Sequence, residues 1–264
     1  MGEIYLELTN RFNEGKLRAV LSSGQAVVMH GLALSSKDGD WILREDDESL
    51  DTILGVLDSY GATYRLGAPL DARWMSGGWS SHFEFVRDGY RARTDFVTRP
   101  PRLSVQDLAQ MWTEQEEPSS FPVPTIDLQR LARLKLTQRE RDYVFIGEIA
   151  RKFTSVREQM LWSRSARDLI RLAAEHPDLP EQLAPERPLL SQVKQGRQTL
   201  EAALDFERRE LLRADENRLE HYALAAQEWT HNWPQLKAQI SGLSLRAAHK
   251  IVVEHAQILP QQVM

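Results

Sequence analysis

Strand-like alternation and most of the glycines lie before residue 100, and almost everything after Thr125 reads as helix. Strands first and helices afterwards imply an α+β protein, with a small mixed sheet followed by an all-helical C-terminal region. Two segments mark the change. Arg99-Pro100-Pro101 punctuates the chain after the last strand-like run, and residues 114–124 (EQEEPSSFPVP) have the acidic, Pro- and Ser-rich composition of a linker. The expected domains are therefore 1–103 and 104–264.

Within the first part, Leu6, Phe12, Leu17, Val20 and Leu21 share a broad face and predict a helix from Leu6 to Leu21, stopping near Ser22-Ser23-Gly24. Gln25–Met29 is a short β-branched run before His30-Gly31 and predicts a buried strand, and Trp41-Ile42-Leu43 predicts a second. Asp47–Tyr60 carries the apolar stripe Leu50, Ile53, Leu54 and Leu57, closed by Gly61, as an amphipathic helix does. Ser81–Val86 alternates with period two, Asp88-Gly89 is a hairpin signal, and Tyr90–Val97 is the return strand. Further on, Ser104 with Asp107 and Ser155 with Glu158 are capping-box patterns. Helices are expected over 126–136, 139–152, 155–175, 190–229 with at least one break, and 244–257. The four prolines from His176 to Pro188 predict a connecting loop.

The chemistry is concentrated in acids beside strands. Lys37-Asp38-Gly39-Asp40-Trp41-Ile42-Leu43 puts two carboxylates two residues apart, and both face one side if the strand begins at Asp38. Asp95, in Arg93-Thr94-Asp95-Phe96-Val97, lies on another strand and can approach the pair. Three clustered carboxylates repel one another without a cation, and a hard divalent ion is the usual reason to assemble them. Asp-Gly-Asp is equally the sequence of a common surface turn, so both readings stand on spacing alone. Arg87, Arg91, Arg93, Arg99 and Arg102 crowd around Asp95, and Arg91 and Arg93 share its strand parity. Arginine's planar fork suits phosphate. A second basic group, Arg130, Arg133, Lys135, Arg139 and Arg141, lies in the helical part.

As a set, these motifs resemble the minimal nucleotidyltransferases, including toxin-like members of the AbiEii type. Residues from about 15 to 103 carry the likeness: Val27-Val28-Met29-His30-Gly31-Leu32, the Asp38/Asp40 segment, the 47–60 helix, and Thr94-Asp95-Phe96-Val97. Leu134-Lys135 with the Gln138–Ile146 stretch resembles the helical part of that family. The resemblance implies metal-dependent transfer of a nucleoside monophosphate from an NTP to a hydroxyl on RNA, protein or a small molecule. It implies Mg²⁺ or Mn²⁺ held by Asp38, Asp40 and Asp95, which would also be the catalytic carboxylates, and a toxin–antitoxin setting. Where the family has Gly-Gly or Gly-Ser against the triphosphate, this chain has Gly31-Leu32, so Ser35 or Ser36 would supply the hydroxyl, with Lys37, Arg93 and Lys135 as the cations. The competing expectation is an inactive protein of the same fold, whose helical region binds a partner protein.

Several classes are set aside. There is no cysteine, which excludes thiolate metal sites and a cysteine nucleophile. No Walker, dinucleotide-binding or nucleophile-elbow pattern occurs. A net charge of -5 gives no general pull toward polyanions, so an RNA acceptor would need a local basic surface. The N-terminal segment MGEIYLELTNRFNEGK is charged throughout and no apolar run approaches membrane-spanning length, so a cytoplasmic protein away from membranes is expected.

Overall fold

Asn13 decides how the chain enters the sheet. Its side-chain amide donates to the carbonyls of Thr9 (2.9 Å) and Ala19 (2.8 Å), and its oxygen accepts from the N–H groups of Arg18 (2.7 Å) and Ala19 (2.8 Å). With Gly15 at φ 75° completing the turn, this one residue ends α1 (Gly2–Phe12) and begins β1 (Ala19–Ser22). The helix expected over 6–21 is thus a shorter helix and a strand, because apolar spacing does not register a side chain that stops a helix. The chain then turns through Ser23 (φ 48°) directly into α2 (Ser23–Met29). The strand expected over Gln25–Met29 is this helix. Four apolar residues in a run of five are too few for period to separate the two forms. The tertiary fold decides it: the Gln25 amide reaches the carbonyls of Ser36 and Asp38, both at 3.2 Å.

In the computed structural model, which describes residues 2–117 and 120–263, the chain forms two compact units. One comprises the residues up to Leu131 together with those from Glu220 onward, and the other is Ala132–Leu219. Pro118 and Ser119 of the expected linker lie outside the described residues.

The first unit continues with β2 (Gly39–Leu43), α3 (Asp47–Ser59), β3 (Thr63–Gly67), α4 (Ala72–Met75), β4 (Ser81–Arg87), β5 (Tyr90–Val97) and α5 (Val105–Glu114). The five strands form one mixed sheet in the order β1-β2-β5-β4-β3, with β2 and β5 parallel and the other pairs antiparallel. The amphipathic helix, the hairpin and the Ser104–Asp107 capping box follow expectation. Strand β3 was not anticipated. Under the sheet, Trp41 stacks on Phe96 (5.3 Å between centroids) and meets the edge of Phe12 (5.4 Å), all three fully buried. Its indole N–H donates to Thr9 Oγ1 at 2.9 Å, so the bulky ring leaves no donor unpaired.

Both outer edges of the sheet are occupied. At β1, the Leu21 N–H donates to the Pro124 carbonyl and the Leu21 carbonyl accepts from Ile126, both at 2.9 Å. At β3, the indoles of Trp233 and Trp229, four residues apart on α12 (Gln227–Gln239), donate to the carbonyls of Arg65 (3.1 Å) and Gly67 (3.2 Å). α13 (Leu245–His255) packs on α3.

The second unit is helical. α6 (Leu128–Leu134) leads into α7 (Glu140–Lys152), α8 (Val156–Trp162), α9 (Ala166–Glu175), α10 (Leu179–Leu183), a 3₁₀ helix (Pro188–Gln195) and α11 (Arg197–Ala225). The single helix expected over 155–175 is two, because Ser165 caps a new start by accepting from the Asp168 N–H at 3.2 Å. The expected loop from His176 contains α10, with Pro180 in its first turn, where the missing N–H costs nothing. Met160, Leu169, Leu183, Leu190 and Leu200 form the core. Among the described residues, no helix is long and apolar enough to cross a membrane.

Candidate functional site

Parallel pairing of β2 with β5 sets Asp40 directly beside Asp95, and Gly39 beside Thr94. Asp38 sits one residue before the strand, and its Oδ1 is buried without a hydrogen-bond partner. All three carboxylates act on one neighbour, Tyr5 of α1. Burial pushes the Tyr5 hydroxyl above its ordinary pKa, a main-chain hydrogen bond at Arg93 offsets part of this, and the charges of Asp38, Asp40 and Asp95 raise it further. The hydroxyl donates to the Lys37 carbonyl at 2.6 Å, bracing the loop just before Asp38. Gly39 is what lets Tyr5 come so close. A Cβ there would stand 2.6 Å from the Tyr5 ring and 2.3 Å from the Trp41 ring.

From Asp95 a polar row runs across the sheet. His82 lies opposite it on β4, with Nδ1 at 2.7 Å from Asp95 Oδ1, and Arg65 reaches the same oxygen from β3 at 2.5 Å. The register of β3 against β4 shifts between Tyr64 and Leu66, so Arg65 occupies an irregularity of the kind that re-aims a side chain. On its other side, His82 Nε2 contacts Ser80 Oγ at 2.8 Å, and that hydroxyl meets the Tyr222 hydroxyl at 3.1 Å. Burial pushes the Asp95 carboxyl up, but hydrogen bonding and charge from His82 and Arg65 outweigh it and hold the group below the usual carboxylate range. Among the described residues, no group of three or more His, Asp or Glu side chains is placed so that it could hold a metal ion.

The remaining expected site residues are spread more widely. Gly31 turns the chain after α2 at φ 67° and is exposed, as are Ser35 and Lys37. Ser36 is half-buried and its hydroxyl donates to the Asp38 carbonyl at 3.4 Å. The strand-to-helix junction beside β2 carries Ser22-Ser23-Gly24, where Ser22 Oγ donates to the Asp40 carbonyl at 3.2 Å. A Cβ on Gly24 would lie 2.2 Å from Ser36 Oγ, so the junction and the loop before Asp38 touch. Arg93 is half-buried on β5, opposite Glu84. Lys135 belongs to the helical unit, where it is buried 3.6 Å from the Asp142 carboxylate. Other basic residues are committed to acids: Arg87 to Glu7 (2.9 Å), Arg99 to Glu45 (2.7 Å), and the buried Arg130 to Glu114 and Asp127 (2.5 and 2.6 Å). Sequence reasoning missed Tyr5, Arg65 and His82. The period-two face of Ser81–Val86 includes His82, but only the register with β5 aligns it with Asp95.

No family model matches the chain, and no curated protein matches it significantly. Two solved structures are similar. One, a protein of H. pylori provisionally designated a nucleotidyltransferase, aligns over 82% of this chain and 95% of its own, at 12% identity and a TM-score of 0.40. The other, JHP933 from Helicobacter pylori, aligns over 86% of this chain and 96% of its own, at 12% identity and a TM-score of 0.38.

Proposed function

We propose that this chain is a metal-dependent nucleotidyltransferase that moves a nucleoside monophosphate from an NTP to a hydroxyl acceptor. The observation that carries the reading is the pairing of Asp40 with Asp95 on adjacent parallel strands, with Asp38 two residues before Asp40. In chemical type, though not in its present placement, the donor set suits a hard cation. It is all oxygen, and a buried carboxylate oxygen with no hydrogen bond, as at Asp38, is costly until something positive completes it. Asp38 and Asp40 would hold Mg²⁺ or Mn²⁺, which when bound neutralises triphosphate charge and favours displacement of pyrophosphate.

The chain's own residues supply the rest. Asp95, kept ionised by His82 and Arg65, accepts the proton of the attacking hydroxyl. Ser35, Ser36 and Lys37, on the loop that Gly31 begins, provide donors for the triphosphate, and Arg93 on β5 adds a cation. Arg87 and Arg99 are paired to glutamates, and the acceptor is a hydroxyl on RNA, protein or a small molecule, as in a toxin-like member of this fold.

A second reading rests on two contacts to one oxygen. Arg65 and His82 both engage Asp95 Oδ1, which is the state expected of a fold that has exchanged catalysis for a structural ion pair. Binding of labelled NTP with Mg²⁺ or Mn²⁺ separates the two. The first reading expects saturable, metal-dependent binding by the native protein and its loss in Asp40→Ala and Asp95→Ala. Equal binding by all three proteins rejects the site, and no binding by the native protein supports the second reading.

A further inference from the structure

We propose that the helical unit carries a separate site, a cavity that binds a small phosphorylated molecule through Arg164 and Arg167. The cavity measures about 520 Å³ and lies between α7, the start of α9 and α11. That volume is within the range of small-molecule sites.

The argument begins with an imbalance of charge. Arg164 and Arg187 share a single carboxylate, Glu207. Arg187 takes both of its oxygens, through Nε to Oε1 at 2.9 Å and Nη2 to Oε2 at 2.8 Å. Arg164 has only a share of Oε2, and its Nε is buried with no hydrogen-bond partner. Two guanidiniums against one carboxylate leave a mostly buried positive charge uncompensated, and a buried donor without an acceptor is costly. Burial and the neighbouring Arg187 together push the Arg164 guanidinium down to about 10, the direction expected of a cation short of anions. Arg164 lines the cavity.

Its surroundings favour an anion with a carbon body. Arg167, exposed and in the first turn of α9, lines the same cavity, as does Ser165, the cap of that helix. First-turn N–H groups lack intrahelical partners and carry partial positive charge, which adds to two arginines at this end. The acids in the lining are already used: Glu201 by Arg197 (2.7 Å), and Asp205 and Glu140 by Arg208 (2.5 and 3.6 Å). Tyr143, whose ring lies 5.8 Å from the Arg164 guanidinium, joins Val144 and Leu204 as an apolar wall. A phosphate on the two arginines, with a ring or sugar against that wall, satisfies both halves of the cavity.

The full chain, in metal-free buffer, is titrated calorimetrically with inorganic phosphate, with 5′-AMP and with a single-stranded oligonucleotide. The proposal expects saturable binding of phosphate and tighter binding of 5′-AMP, unchanged in Asp40→Asn, which removes a charge from the other unit. Arg167→Glu, at an exposed position, weakens both by about tenfold or more, the loss expected for a charge-assisted contact turned repulsive. Arg164→Lys keeps the charge but not the fork and weakens both likewise, and its melting curve is compared first because the residue belongs to a buried cluster. No saturable binding of phosphate or 5′-AMP, equal affinity in Arg167→Glu, loss of binding in Asp40→Asn, or binding of the oligonucleotide alone would each overturn it. Because no divalent ion is present, failure of nucleotidyl transfer leaves this result unaffected.

Discussion

His249 shows how one buried side chain ties stability to pH. Its Nδ1 lies 2.7 Å from the hydroxyl of the buried Tyr64, and burial holds its pKa below the ordinary value. Asp71 and Asp51 push the other way, while Arg246 and Arg73 add to the depression. A histidine kept neutral by the fold contributes stability that is complete above its unfolded pKa of about 6.5 and is lost as pH falls toward the folded value. Urea midpoints should therefore drop between about pH 7 and about pH 5, and drop less in His249→Gln. At this same scale, the three aspartates were legible in the sequence because carboxylates beside strands carry their chemistry in residue type and spacing. Tyr5, Arg65 and His82 were not. Tyr5 meets the acids through helix packing, His82 meets Asp95 through strand register, and Arg65 meets it through an irregularity in β3, none of which is local in sequence.

Among the elements, those fixed by local signals match expectation: the stripe and cap of α3, the Asp88-Gly89 hairpin, and the Ser104 and Ser155 caps. β1 and α2 were misread because their identities are set by Asn13, by the positive φ of Ser23 and by the reach of Gln25 to the next loop. β3 escaped notice because it is short, contains an irregularity, and has its edge carbonyls satisfied by a helix far along the chain. The start of β2 offers a test joining element to site. Gly39→Ala forces a methyl between the Tyr5 and Trp41 rings, and overpacking of this kind typically costs about 1–3 kcal/mol. The expected outcome is a lowered melting temperature together with weaker metal-dependent NTP binding, because Tyr5 is displaced from the acids. Unchanged melting and binding would show that the contact between Tyr5 and the loop is not needed.

For the whole molecule, the unit that holds the sheet is discontinuous in sequence, interrupted by Ala132–Leu219. Its β3 edge is finished by indoles from beyond the interruption, and an uncovered edge is a template for pairing with another chain. The double variant Trp229→Phe, Trp233→Phe retains most of the apolar packing but removes both donors. It should scatter light increasingly with concentration under conditions where the native protein does not, and a monomeric, non-aggregating variant would refute this role. The same arrangement sets an order of events during synthesis. Trp229 follows Gly67 by 162 residues, so at ordinary ribosomal speeds the nascent sheet waits on the order of ten seconds for its edge to be covered. The helical unit has left the ribosome by then, and the early strands spend that interval as the part of the nascent chain most in need of a chaperone.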